Sequence, residues 1–77
     1  MEKIDQAIAN VLRELREEKG LSQEQLSFDS ELHRTYISQL ERGLKSVTVK
    51  SLLKITNVLG VELHVFMKKM SDEYKKL

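Results

Sequence analysis

The 77-residue sequence contains no cysteine, no proline and no tryptophan, only three glycines and two residues each of phenylalanine and tyrosine. Without cysteine there is neither a disulfide framework nor a thiolate metal site. The two histidines, His33 and His64, are too few and too far apart to replace one, so neither metal nor cofactor is expected. Uncharged apolar runs are only a few residues long, too short for a membrane span or a signal-peptide core; a cytoplasmic chain with no membrane partner is the expectation. No glycine-rich phosphate loop and no nucleophile motif joins the serines, histidines and acids into a catalytic site, so no enzyme is expected. The length fits a single domain over residues 1–77. Domains of this size bury only about 60% of the surface their unfolded chains expose, which makes association with a partner a natural source of stability.

Charge is nearly balanced, with 13 Lys+Arg against 12 Asp+Glu, a net charge of +1 and a pI of about 8.0. Openly basic nucleic-acid binders have a pI above about 9. The total therefore argues against nucleic acid, but it hides a segregation. Residues 1–32 carry eight acids and four bases, whereas residues 33–54 carry five bases (Arg34, Arg42, Lys45, Lys50, Lys54) and one acid, Glu41. A polyanion responds to where charge sits on the folded surface rather than to the sum. The ordinary reading of such a window is a solvated face.

Glycines and capping residues divide the chain into five helical segments. Ile4, Ala7, Ile8, Val11, Leu12 and Leu15 recur at three-and-four spacing, which predicts an amphipathic helix over about 3–19 stopped by Gly20. Ser22 followed by Gln25 is a capping-box pattern, placing a second helix from Gln23 to about Ser30 with Leu26 inward. A third helix follows over 34–42 and Gly43 ends it. Thr48 caps a fourth over about 49–59, with Leu52, Leu53, Ile55 and Leu59 toward the core and Gly60 as its stop. A fifth, about 62–75, carries Leu63, Phe66, Met67, Met70 and Tyr74 at heptad-like spacing.

The third helix has two unlike sides. At about 100° per residue, Arg34, Ser38, Arg42, Thr35 and Gln39 form one continuous polar arc, opposite Tyr36, Leu40 and Ile37. Arginine suits guanine, glutamine suits adenine, threonine suits the thymine methyl, and hydroxyls suit phosphate oxygens. No acid interrupts the arc, since Glu41 falls beside the apolar side. Two short helices joined by a tight turn, the second with such a face, define a helix-turn-helix, here about 23–42.

The run Ser22-Gln23-Glu24-Gln25-Leu26, then Leu32, then Arg34-Thr35-Tyr36-Ile37-Ser38-Gln39-Leu40-Glu41-Arg42-Gly43, resembles the Cro/repressor-type regulators of the XRE family. The resemblance covers roughly Val11 to Phe66. Within the family, Leu32 to Ser38 and the connection Leu44-Lys45-Ser46-Val47-Thr48 are most similar to controller proteins of bacterial restriction–modification systems. It implies an all-α, five-helix, lambda-repressor-like domain that binds double-stranded operator DNA and regulates transcription as a homodimer. By match to the family, Arg34, Thr35 and Gln39 are base readers. Gln23, His33, Tyr36, Ser38, Arg42, Lys45, Ser46, Thr48 and Lys50 are backbone contacts, although His33, Ser46 and Thr48 also read as structural caps and Tyr36 as half-buried core. Arg16 and Glu41 match a buried ion pair that ties the first helix to the third. Glu31 and Ser27 depart from the family, standing where glycine and a small alanine are usual.

Pairing is expected through the fifth helix, with Val65, Phe66, Met67, Met70 and Tyr74 at the interface, Phe66 and Leu63 also packing internally. Methionines suit an adaptable contact. Activation of transcription would add RNA polymerase as a partner. A phage-type repressor and an antitoxin-like or adaptor module are the competing readings. The outward arc separates the adaptor, which has no use for five base- and phosphate-compatible residues on one face.

Overall fold

The computed structural model describes residues 2–77. Five helices follow in order: α1 Lys3–Glu18, α2 Gln23–Ser30, α3 Arg34–Glu41, α4 Val49–Leu59 and α5 Leu63–Lys76. All five lie where the sequence patterns place them, with ends that differ by at most one residue. The terminating devices are local. Ser22 Oγ accepts from Gln25 N at 3.0 Å, His33 Nδ1 from Thr35 N at 3.1 Å, and Thr48 Oγ1 from Ser51 N at 3.1 Å, each satisfying an amide that the first helical turn leaves unpaired. Only half of the capping box forms, because the Gln25 side chain donates to Asp29 Oδ1 one turn later instead of reaching back.

The turn between α2 and α3 takes the left-handed geometry for which glycine is usual. Glu31 has φ 61° and ψ 29°, the one non-glycine residue with positive φ among those described. Leu32 N then closes onto Ser27 O at 3.2 Å, and the Ser27 hydroxyl donates to the Leu32 carbonyl. Ser27 thus satisfies its own polarity at the α2–α3 junction, where alanine would have brought none.

α1 packs against α3 and α5, α2 against α3 and α4, and α4 against α5. The core they enclose contains Val11, Leu12, Leu15, Leu26, Ile37, Leu40, Leu52, Ile55, Leu59 and Phe66. Two sequence expectations fail here. Leu53 is 43% exposed, because Leu52, Ile55, Thr56 and Leu59 form the inward stripe of α4 and Leu53, about 100° from Leu52, falls outside it. Thr56 takes its place, buried with its hydroxyl donated to the Leu53 carbonyl. Phe66 is fully enclosed by the core, so it has no surface left to offer a second subunit; of the proposed interface set, Val65, Met67 and Tyr74 are exposed and Met70 is half-buried.

Candidate nucleic-acid interface

Ile37 and Leu40 anchor α3 in the core and turn its opposite side outward. Arg34, Thr35 and Arg42 are exposed, and Ser38 and Gln39 are half-buried. The polar arc expected from the wheel is thus a surface. Tyr36 is half-buried and packs against the core.

A polar cluster fixes the helix from behind. Arg16 Nε lies 2.6 Å from Glu41 Oε2 and Arg16 Nη2 lies 2.9 Å from Oε1, a two-pronged pair in which the side chains are 12% and 2% exposed. Hydrogen bonding to Glu41, outweighing the opposing effect of burial, holds the Arg16 guanidinium above its already high ordinary pKa. The remaining Arg16 Nη1 donates to the Leu21 carbonyl at 2.7 Å. The pair meets the conditions under which burial is tolerated: the guanidinium bonds both carboxylate oxygens, and neither side chain leaves a buried nitrogen or oxygen without a partner.

Two further residues join the cluster without having been anticipated there. Gln23, expected as a phosphate anchor, donates its amide to Glu41 Oε1 at 3.1 Å. Its amide group carries a second N–H. Arg13 Nη1 donates to the Glu41 backbone carbonyl at 3.2 Å, satisfying an acceptor that the end of α3 leaves open and placing a cation at its negative pole. The signal for Arg13 was its position one turn before Arg16 on α1.

Other expected backbone contacts divide. Lys45 and Lys50 are exposed. Arg42 stays near its own helix, with Nε 3.4 Å from the Ser38 carbonyl. His33 caps α3 through Nδ1, which puts the neutral ring's hydrogen on Nε2, facing away from the cap. Two hydroxyls are already engaged. Ser46 donates to the Asp5 carboxylate at 3.0 and 3.2 Å, and Thr48 donates to Ser51 Oγ at 2.9 Å while capping α4. A hydroxyl has one hydrogen to give, so in this geometry neither offers a donor to phosphate.

A family model described as helix-turn-helix matches residues 12–66. The chain is a helix-turn-helix protein of the XRE type. It is 46% identical over 52 residues to control protein C.BamHI of Bacillus amyloliquefaciens, covering 66% of this chain and 64% of that protein's length. It is 44% identical over 55 residues to control protein C.MunI of a Mycoplasma species, covering 70% of this chain and 74% of the relative. Among solved structures, it is similar to the restriction–modification controller protein C.Esp1396I, crystallised as a tetramer in complex with its natural 35-base-pair operator. That match has a TM-score of 0.88 at 36% identity and covers 96% of this chain and 97% of the other. The five-helix arrangement therefore coincides with that of a protein solved on DNA.

Proposed function

We propose that the chain is a sequence-specific DNA-binding transcriptional regulator of the controller type, working as a homodimer on a pseudo-palindromic operator. The observation that carries this reading is α3 itself. Its outward side presents Arg34, Thr35, Ser38, Gln39 and Arg42 with no acid among them, while the Arg16–Glu41 pair holds the helix from behind. A rigid helix with that face fits the major groove of B-DNA. The operator-bound tetramer of C.Esp1396I supports it, since this chain shares that architecture at 36% identity.

In this reading Arg34, Thr35 and Gln39 meet base edges. Lys45 and Lys50, the His33 Nε2–H, the second Gln23 amide hydrogen, Ser38, Arg42 and the Tyr36 hydroxyl meet phosphates. Ser46 and Thr48 act as structural residues of the connection. Pairing through Val65, Met67, Met70 and Tyr74 brings two α3 helices to successive major grooves, with half-sites about 34 Å apart. A controller that activates its promoter additionally touches RNA polymerase.

The test separates base reading from phosphate grip. Arg34→Ala should cost about 1–3 kcal/mol of binding and relax preference at one base position, while Lys45→Ala should weaken all duplexes alike and reduce the salt slope by about one. Fluorescence anisotropy on a panel of single-base operator variants at several salt concentrations reads both quantities. Uniform loss across the panel for both substitutions would remove Arg34 from the base readers.

A further inference from the structure

The connection between α3 and α4, residues 42–48, has a polar and an apolar aspect. Lys45 is exposed, and Lys50 lies just beyond at the start of α4. Val47 packs against the core, and Val49 is 68% exposed. Val47 and Val49 join Ile4 and Ile8 of α1 and Met67 and Met70 of α5 along an open groove of about 270 Å³, whose eight lining residues are all apolar. The groove shares Met67 and Met70 with the α5 surface proposed above for pairing.

One long-range contact ties the connection to α1. Ser46 Oγ donates to both oxygens of the Asp5 carboxylate, across 41 positions of sequence. Asp5 is only 8% exposed. Burying a carboxylate is unfavourable unless it is hydrogen-bonded, and an apolar residue would fill this place without that cost. An apolar residue would also leave the connection untied. Asp5 sits in the first turn of α1, where the helix amides favour a negative charge.

We propose that Asp5 is a positioning residue. By holding Ser46 it fixes the connection as one wall of a groove filled by a second copy of this chain, and it thereby links subunit pairing to the placement of Lys45 on DNA. The inference rests on the homodimer reading and extends its surface from α5 to the connection and the start of α1. A second copy is the occupant because the groove shares Met67 and Met70 with the pairing surface, and because a two-fold contact presents the same patch from both partners.

The experiment uses the full chain. Sedimentation velocity over a dilution series gives the dimer dissociation constant, and anisotropy on a mixed-sequence duplex three helical turns long gives the salt slope of DNA binding. Asp5→Ala and Ser46→Ala are expected to raise the dimer constant about tenfold and to lower the salt slope by about one, as Lys45 loses its fixed place. Asp5→Asn and Ser46→Thr keep an acceptor and a hydroxyl, so both should restore the dimer constant to within about threefold of the parent. A parent that dimerises while Ser46→Ala leaves dimer constant and salt slope unchanged overturns the positioning role, even if urea unfolding shows lost stability. A parent that stays monomeric at tens of micromolar, free and on DNA, overturns the pairing reading and this inference with it.

Discussion

At the scale of single residues, the clearest energetic signature is Glu31. A side chain at φ 61° crowds its Cβ against the following carbonyl, at a cost of about 1 kcal/mol. Glu31→Gly should therefore raise unfolding stability by about 1 kcal/mol in urea titration, with no change in the arc of α3. The opposite change provides the control. Gly60 has φ 69° and its nearest neighbour to an added Cβ is Lys19 Nζ at 3.7 Å, so Gly60→Ala has room and should lose about 1 kcal/mol through the backbone alone. Glu31 could be recognised in the sequence because it departs from the family's glycine. Asp5 could not. Asp5, Ala9, Leu12 and Arg16 follow one another at four-three-four spacing as a second inward stripe of α1, and hydropathy conceals it because both ends are polar. Each polar end has a distant partner: the family match names Glu41 for Arg16, whereas no local pattern announces Ser46 for Asp5.

At the scale of elements, the helix-turn-helix depends on a pair of charges that is more costly to break than to replace. Arg16→Ala would leave Glu41 buried without its cation and should cost about 3–5 kcal/mol in urea unfolding. The double replacement Arg16→Met with Glu41→Leu removes both charges and should unfold within about 1–2 kcal/mol of the parent, yet bind DNA more weakly because Gln23 loses its acceptor. Equal stability of Arg16→Ala and the parent would show the pair to be decorative. Helix ends were legible because caps act within three residues: Ser22, Thr48, Gly20 and Gly60 all stand where the chain stops or starts a helix. The inward face of α4 was less legible. Leu52 and Leu53 are equally apolar, and only the packing of α2 and α5 against α4 decides which of the two is enclosed. Gln23 likewise reads as a phosphate anchor alone until Glu41 is seen within hydrogen-bond reach, which adds a structural role to it.

At the scale of the whole molecule, the apolar residues of α5 divide between the core and the surface. Met67 and Phe66 are neighbours in sequence with opposite fates, one 43% exposed and the other fully buried. Met67→Lys should leave the unfolding midpoint nearly unchanged while shifting the sedimentation profile toward monomer. Phe66→Ala should cost about 3–5 kcal/mol and compromise the fold itself. If both substitutions only destabilised the monomer, α5 would be an internal helix and nothing more.

The near-neutral total charge, which taken alone argues against nucleic acid, is an average over unlike regions. Residues 33–54 hold five bases against one acid, and the rest of the chain holds eight bases against eleven acids. The basic window coincides with α3, its connection and the start of α4. A small total charge limits indiscriminate phosphate binding, and in the function proposed above discrimination then falls to the α3 face. Selection of bound duplexes from a random DNA pool tests that account most directly. It predicts enrichment of two inverted half-sites with centres about one helical turn apart, each contacted by one α3. Recovery of sequences without a shared motif, or of a single unrepeated half-site, would contradict it.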